Sequence, residues 1–109
     1  MEKVYSRPES LDISNNKFCP GCMHSTFIKI CMQVIDELGI GDRAVVIQPI
    51  GCANNSSPCI AIDQGCALHG RAPAYATGLK RCHPESIVFT YQGDGDLSSI
   101  GFAEVMHAA

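Results

Sequence analysis

The sequence predicts an α/β fold built around a parallel sheet. Helical and strand-like hydrophobic patterns alternate along the chain in the order helix, strand, helix, strand, helix. Both strand-like runs are short and nearly continuous in apolar residues, as expected of strands that are buried on both faces. Strands that alternate with helices are typical of parallel sheets, because each helix returns the chain to the start of the next strand.

The first helix is predicted after a polar lead-in. Residues 1–18 are polar and irregular, and we expect them to form an extended N-terminal segment that packs on other parts of the structure. From about His24 to Leu38, apolar residues recur at helical spacing and predict a helix with one buried stripe. The residues of this predicted stripe are Phe27, Cys31, Val34, Ile35 and Leu38.

The remaining elements follow from apolar runs and from helix signals. Residues 44–50 and 87–92 are the two strand-like runs. Residues 51–70 are rich in Gly, Asn and Ser and predict a long loop, a kind of segment that is usually functional or disordered. Residues 72–82 predict a helix that has a proline near its start, and a last helix is expected over about residues 98–109.

Two strands are too few for an independent domain of this class. A parallel sheet is normally covered on both faces and contains more strands than two. The last predicted helix also reaches Ala109 without a capping glycine. We therefore expect the chain to be part of a larger domain, or to be completed by a partner.

Composition excludes several classes of protein. The chain has 109 residues, of which 46% are hydrophobic and 17% are charged, so its length allows one domain and its composition excludes a disordered chain. Its net charge of −3 gives no basic surface for nucleic acid. No apolar stretch is long enough to span a membrane, and the first residues do not resemble a signal peptide, so we expect a cytoplasmic protein with no membrane partner.

A Gly-Asp-Gly-Asp motif follows the second strand-like run directly. Gly93 and Gly95 allow the backbone to approach a phosphate closely, and the start of the next helix favours an anion. Asp94 could hold a hard cation such as Mg²⁺, which binds carboxylates together with phosphate oxygens. The alternative is an ordinary Asp-Gly turn, and the position between a strand and a helix makes the two readings about equally good.

The cysteines indicate metal or thiol chemistry rather than disulfides. The chain has 7 cysteines, an odd number, and only Cys19 and Cys22 form a close Cys-x-x-Cys pair. From spacing alone, three readings stay open for this pair: a redox dithiol, a zinc site and an iron–sulfur cluster. For a cluster, Cys52 is the best third ligand, because it follows a glycine at the end of a strand-like run.

A third candidate lies just before the second predicted helix. His69 and Arg71 flank a glycine there, in a position that suits contacts to an anion. Ordinary loop polarity is the alternative explanation, and from the residues alone it is the safer one.

These motifs, taken in order and spacing, resemble one family. It is the thiamine-diphosphate-binding beta subunit of the 2-oxoacid:ferredoxin oxidoreductases, and the resemblance covers about residues 17–109. The segment 83–92 is most similar to the branch that acts on 2-oxoisovalerate, with the 2-oxoglutarate branch close behind. The motifs that carry the resemblance are Cys19-Pro20-Gly21-Cys22, Ile50-Gly51-Cys52, His69-Gly70-Arg71, Ala76-Thr77-Gly78-Leu79-Lys80 and Tyr91-Gln92-Gly93-Asp94-Gly95-Asp96.

The resemblance implies an enzyme subunit with three cofactors. The reaction would be the oxidative decarboxylation of a 2-oxoacid to an acyl-coenzyme A, with the electrons passed to ferredoxin. Thiamine diphosphate, Mg²⁺ and a [4Fe–4S] cluster would be the cofactors. An alpha subunit would be the partner, with gamma and delta subunits as further candidates. Residues 19–109 would then form the N-terminal part of the thiamine diphosphate-binding domain.

The resemblance also implies roles for individual residues. Those that match positions binding the thiamine cofactor are Ile50, Gly51, Cys52, Ala53, His69, Gly93, Gly95 and Asp96. Asp94 matches the Mg²⁺ ligand. Cys19, Cys22 and Cys52 match three ligands of the cluster.

Two features of the family pattern lie beyond the printed sequence. They are an Asn-containing segment that completes the Mg²⁺ shell and the fourth cysteine of the cluster. We therefore expect the isolated chain not to be active alone. The rival interpretation is a small zinc- or cluster-binding scaffold that uses the Cys-x-x-Cys pair at residues 19–22, and a thiol redox protein is a third.

Overall fold

The centre of the protein is a parallel sheet of three strands. A computed structural model describes residues 4–109. The strands are β1 (Ala44–Gln48), β2 (Asp63–Cys66) and β3 (Ile87–Thr90). Their order in the sheet is β2-β1-β3, and both pairs are parallel. The predicted α/β class with a parallel sheet is therefore confirmed.

Three α-helices and two short helices of other types accompany the strands. The helices are α1 (Met23–Leu38), α2 (Ala72–Cys82) and α3 (Phe102–Ala108). A 3₁₀ helix spans Cys52–Cys59, and a π-helix spans Gly95–Ile100. The last helical region thus begins earlier than predicted and starts as a wide turn. Within residues 4–109, no helix is both long enough and apolar enough to cross a membrane.

The two longer helices cover opposite faces of the sheet. On one face, α1 packs Ile28 and Met32 into a core that includes Val46 of the central strand. On the other face, α2 packs Ala72 against Ile47. Neighbouring residues of β1 therefore point into different cores, which explains why the strand is apolar almost throughout.

The predicted loop over residues 51–70 is wrong. This segment contains the 3₁₀ helix and β2, whose residues Asp63 to Cys66 pair in parallel with residues Val45 to Gln48 of β1. Asp, Gln and Gly have little intrinsic preference for strands, so the pattern of β2 does not reveal it. Pairing with β1 forms this strand, with Ile60 and Ile62 buried in the core just before it.

The predicted buried stripe of α1 is also largely wrong. The residues that α1 buries are Ile28, Met32 and Ile35, which lie on one side of the helix. A second apolar row is substantially exposed: Met23, Phe27, Ile30, Val34 and Leu38. Because α1 is apolar on more than one side, the periodic pattern alone could not identify the side that faces the sheet.

The end of α1 and the N-terminal segment are fixed by backbone hydrogen bonds. Gly39, at φ 61°, donates to the Asp36 carbonyl, and Ile40 donates to the Ile35 carbonyl, which together close the helix. In the N-terminal segment, Leu11 is buried and pairs with Ile60 in an antiparallel bridge. The first three residues of the predicted extended segment lie outside the described residues.

Candidate functional site at the carboxyl end of the sheet

All eight residues predicted to bind the thiamine cofactor lie at one end of the sheet. Because the three strands are parallel, the segments that follow them leave the sheet at the same end. These segments are residues 49–53 after β1, residues 67–71 after β2 and residues 91–96 after β3. We call this region the carboxyl end. In open α/β sheets, ligands bind in this position.

The segment after β1 presents a backbone that only glycine adopts easily. Gly51 has φ 111° and ψ −163°, and a Cβ built on it would meet nothing within 4 Å. It precedes Cys52, whose side chain is exposed at the start of the 3₁₀ helix. Ile50 is 41% exposed, whereas Ala53 is buried, at 2%. The assignment of Ala53 to the cofactor site stays a prediction from the resemblance.

A buried polar pair supports this segment, and no sequence pattern indicates it. Gln48, the last residue of β1, is 1% exposed and is hydrogen-bonded through its side-chain amide to Ser56 Oγ at 3.1 Å. The Ser56 hydroxyl also donates to the Ala53 carbonyl at 2.8 Å. The pair links the 3₁₀ helix to the end of the central strand. Cys52 is the first residue of that helix.

The most extensively hydrogen-bonded part of the carboxyl end is centred on Asp96. Asp96 is 2% exposed, and its carboxylate accepts three hydrogen bonds. The donors are His69 Nδ1, the Gly70 backbone N–H at 2.8 Å and Gln92 Nε2. Asp96 thus joins the segment after β2 to the segment after β3. Of the predicted site residues, His69 and Asp96 are the two that this hydrogen bonding brings into direct contact.

These three donors set the charge state of the buried carboxyl. Burial alone raises the pKa of Asp96, because a charged carboxylate is less stable away from water. The hydrogen bonds from Gln92, Gly70 and His69 outweigh burial and lower the pKa below its ordinary value. The side chain is therefore a carboxylate at neutral pH, with its acceptor positions used inside the protein.

Close backbone packing fixes the same two segments. A Cβ on Gly70, which has φ 78°, would lie 2.7 Å from Ile100 Cγ2 and 2.9 Å from the Gly101 nitrogen. A Cβ on Gly101 would lie 2.3 Å from the Asp96 carbonyl oxygen. Only glycine allows this approach, which we call the Gly70–Gly101 contact. An ion pair between Arg71 and Glu104 lies beside it.

Asp94 differs from Asp96 in its exposure and in its hydrogen bonding. It is exposed, and among the described residues its carboxylate accepts no hydrogen bond. Its carbonyl accepts a hydrogen bond from Ser98 Oγ at 2.6 Å, which fixes the start of the π-helix. Gly93 and Gly95, on either side, have open space where a Cβ would lie. A free carboxylate between two glycines at a helix start fits the chemistry of a cation bound to a diphosphate.

The structure does not bring the three predicted cluster cysteines together. All 7 cysteines are free thiols, with Cys19 and Cys52 exposed and Cys22 half-buried. Within residues 4–109, no three His, Cys, Asp or Glu side chains are grouped so that they could hold a metal ion. The described residues do not by themselves form a site for a [4Fe–4S] cluster or a zinc ion. The ligand set Cys19, Cys22 and Cys52 stays a prediction from the resemblance.

An aromatic cluster connects the Cys-x-x-Cys segment to the carboxyl end. The His24 ring stacks on Phe18 at 5.2 Å between centroids, and its Nδ1 shares a hydrogen bond with the Tyr91 hydroxyl. Tyr91 also stacks on Phe27 at 4.8 Å. Burial raises the pKa of Tyr91, and the nearby thiol of Cys31 contributes. Sequence patterns do not pair His24 with Tyr91, because the two residues are 67 positions apart.

Comparisons with known proteins agree with this geometry. The family model for the thiamine pyrophosphate enzyme, C-terminal TPP binding domain, matches residues 39–109. A ketoisovalerate oxidoreductase subunit, VorA, from Methanothermobacter thermautotrophicus is 41% identical over 99% of this chain and 25% of its own length. A 2-oxoglutarate synthase subunit, KorB, from Methanocaldococcus jannaschii is 33% identical over 83% of this chain and 34% of its own length.

A solved structure shares the fold over nearly the whole chain. It is the 2-oxoglutarate:ferredoxin oxidoreductase from Magnetococcus marinus, with 2-oxoglutarate, coenzyme A and succinyl-CoA bound. The match has a TM-score of 0.86 and 30% identity, and it covers 96% of this chain and 36% of that one. The chain therefore spans between a quarter and about a third of the length of these relatives. The chain belongs to the family of thiamine pyrophosphate-binding domains, and its predicted resemblance to subunits of the 2-oxoacid:ferredoxin oxidoreductases is confirmed.

Proposed function

We propose that this chain supplies part of the thiamine diphosphate site of a 2-oxoacid:ferredoxin oxidoreductase. The enzyme would decarboxylate a 2-oxoacid oxidatively, form an acyl-coenzyme A and pass electrons to ferredoxin. Its substrate would be 2-oxoisovalerate or 2-oxoglutarate, the acids that correspond to the names of the two relatives. Residues 19–109 would form the N-terminal part of the cofactor-binding domain.

One observation carries this proposal: three parallel strands end together, and a free carboxylate stands where they end. Asp94 lies at the start of a helical turn, exposed and without a hydrogen bond to its carboxylate among the described residues. Asp96, only two positions further on, is buried, and its carboxylate already accepts three hydrogen bonds. The carboxyl end therefore separates a carboxylate that can bind a cation from one that holds the loops in place.

The residues of the carboxyl end divide the work of binding. Asp94 would hold Mg²⁺, and the Gly93–Gly95 backbone would lie against the diphosphate, where open space at both glycines leaves room. Gly51 and Cys52 would lie beside the remainder of the cofactor. When bound, thiamine diphosphate supplies an electron sink for loss of carbon dioxide from the 2-oxoacid. The chain itself would place the Asp94 carboxylate near the cation. It would also keep the space beside Gly93 and Gly95 free of side chains, so that the diphosphate can approach the backbone.

The rest of the enzyme would come from other subunits and segments. Because the chain spans 25% of its VorA relative, substrate selection and catalysis require more protein than the sequence printed here. We propose an alpha subunit as partner, with gamma and delta subunits as further candidates, and a cytoplasmic location. The complete enzyme would also hold a [4Fe–4S] cluster, for which the resemblance implies Cys19, Cys22 and Cys52 as three of the ligands.

The proposal is tested by cofactor binding to the complex. The chain is co-expressed anaerobically with its partner subunits, and thiamine diphosphate binding is measured by calorimetry with and without Mg²⁺. We expect Mg²⁺-dependent binding that Asp94→Asn weakens by more than about a hundredfold, because loss of an outer-shell partner alone often costs 10–100-fold in metal affinity. The matched control is Asp42→Asn, an exposed aspartate before β1 at the opposite end of the sheet, which should bind as the wild type does.

Analysis of iron, acid-labile sulfide and zinc in the same sample separates the rival interpretations. Iron with sulfide supports the oxidoreductase. One zinc per chain with no iron, and no binding of thiamine diphosphate, would establish the metal scaffold instead. A sample that contains neither metal and binds no cofactor, but reduces disulfides through Cys19 and Cys22, would establish the thiol redox protein.

A further inference from the structure

The pairing of His69 with Asp96 has a consequence for how His69 meets a ligand. A carboxylate accepts hydrogen bonds and donates none. Both oxygens of the buried Asp96 side chain accept hydrogen bonds from other donors, Oδ1 from the Gly70 backbone N–H and Oδ2 from Gln92 Nε2, so the group acts as an acceptor. The hydrogen atom in the bond between the two residues therefore lies on His69 Nδ1.

This bond leaves the other ring nitrogen of a neutral His69 with a free lone pair. The side chain of His69 is 41% exposed, and among the described residues Nε2 has no hydrogen-bond partner. His69 follows β2, so the nitrogen is held at the carboxyl end rather than in the core. Leu68, the residue before it, is 79% exposed and does not cover it.

We propose that Asp96 is a positioning residue, which holds the His69 ring so that Nε2 accepts a hydrogen bond from an N–H or O–H group of the ligand at the carboxyl end. The inference rests on the proposed function and refines it. The resemblance implies that Asp96 contacts the diphosphate. The structure points to a different role, because a buried carboxylate with three donors already bound has no reason to face a second anion.

The surroundings are built to keep the ring in this orientation. The Gly70 N–H donates to the same Oδ1 atom that His69 Nδ1 contacts, so the backbone next to His69 is anchored to Asp96 as well. The Gly70–Gly101 contact packs the same backbone closely against the end of the π-helix. On the other side, Gln92 Nε2 holds Oδ2. Both oxygens of Asp96 are thus fixed, and the direction of the His69 ring follows from them.

Two substitutions at Asp96 separate orientation from charge. In Asp96→Asn, the amide oxygen must face Gly70, which can only donate, and it then still accepts from His69 Nδ1. The new NH₂ group would face Gln92, whose Oε1 is buried and has no partner, so a rotation of the Gln92 amide satisfies both. Asp96→Asn thus keeps the orientation of the ring, whereas Asp96→Ala removes its support.

The lone pair of His69 is measured chemically in the complex with its partner subunits. Diethyl pyrocarbonate acylates unprotonated imidazole nitrogens, and peptide mass spectrometry reports each histidine separately. His83 is the internal control, because it lies at the end of α2 that is far from the carboxyl end. The reaction is followed with and without Mg²⁺ and thiamine diphosphate, then with 2-oxoisovalerate or 2-oxoglutarate added. Calorimetry on the same samples establishes whether the cofactor is bound.

In the wild type, we expect the bound ligand to protect His69 and not His83. At a ligand concentration of about 100 Kd only about 1% of sites are free, so acylation of His69 should slow by at least about tenfold. Asp96→Asn should keep this protection. Asp96→Ala should lose most of it while it still binds the cofactor. If Asp96→Ala does not fold, Asp96→Ser carries the same expectation, because its shorter side chain does not replace the carboxylate contact to Nδ1.

The outcomes distinguish this inference from the proposed function. Cofactor binding without protection of His69, with or without the 2-oxoacid, overturns the contact between His69 and the ligand. Full protection in Asp96→Ala or Asp96→Ser overturns the positioning role of Asp96. Absence of cofactor binding in the wild type overturns the proposed function, and the inference that rests on it fails at the same time.

Discussion

The Gly70–Gly101 contact predicts that Gly101→Ala is strongly destabilising. Gly101 has φ −98°, which any residue adopts, so the effect is one of space alone. A Cβ there would lie 2.3 Å from the Asp96 carbonyl oxygen and 2.7 Å from the Gly70 carbonyl oxygen, where ordinary contacts begin at 3.4 Å. Both neighbours are backbone atoms, so no side-chain rotation relieves the overlap. The π-helix or the segment after β2 would have to move by about 1 Å, which breaks interior packing.

The cost of this movement can be estimated from overpacked cores. Inserting a methyl group into a well-packed site costs about 1–3 kcal/mol, and we expect the upper end, because backbone lies on two sides. For a chain of this size, each kcal/mol lowers the melting temperature by about 4–8 °C, so Gly101→Ala should melt more than about 10 °C below the wild type. The same movement displaces the π-helix that Asp94 precedes, so binding of Mg²⁺ and thiamine diphosphate should weaken in parallel.

A matched glycine gives the control. Gly78 lies in α2, is exposed, and has nothing within 4 Å of the position of a Cβ. Gly78→Ala should raise stability by about 0.5–1 kcal/mol, since alanine costs less conformational entropy in a helix. Thermal unfolding followed by circular dichroism measures both variants. If Gly101→Ala melts within about 2 °C of the wild type, the close packing of Gly101 on Gly70 is wrong.

Three further perturbations test other parts of the structure. Gly51→Ala should lower stability by about 1–2 kcal/mol in a denaturant titration, because its φ of 111° strains any side chain although the surrounding space is open. The pKa of Asp96 in the folded protein lies below its ordinary value of 3.8. Its contribution to stability is therefore complete above pH 3.8 and is lost as the pH falls through the lower pKa of the folded state. The free energy of unfolding, measured across acid pH, should vary less in Asp96→Asn than in the wild type. Tyr91→Phe removes the hydrogen bond to His24 and should cost about 0.5–1.5 kcal/mol in the same titration, whereas Tyr75→Phe, at an exposed tyrosine, should change little.

The parts of the fold that could be predicted are those that local pattern determines. The strand-like run from Ala44 is apolar because it is covered on both faces, and such a run leaves a clear signal. The strand β2 has no such signal. Its residues Asp63, Gln64 and Gly65 become a strand only because β1 offers free hydrogen-bonding groups beside them. Sequence patterns indicate the secondary structure that a segment prefers by itself, whereas β2 forms because the neighbouring strand β1 supplies hydrogen-bonding partners.

The candidate site shows the same division. The motif at residues 93–96 could be located because a strand precedes it and a helix follows it. The partners of its second aspartate could not be found, because His69 lies 27 positions away and Gly70 lies 26 positions away. The hydrogen bond between His24 and Tyr91 spans 67 positions. No spacing rule reaches over such distances, whereas the order of the strands brings these residues together directly.

Asp94 and Asp96 show why the roles of similar residues have to be argued from their surroundings. In the sequence, each is an aspartate after a glycine, and both match cofactor-binding positions of the family. The structure leaves the first in solvent with its acceptor positions free, and buries the second with three donors around it. A cation can reach only the first without breaking existing hydrogen bonds, and only the second can fix the direction of His69. A buried carboxylate without its three donors would be strongly destabilising, whereas an exposed one needs no donor from the protein. The different roles of the two aspartates therefore follow from their burial and hydrogen bonding and not from the residue type.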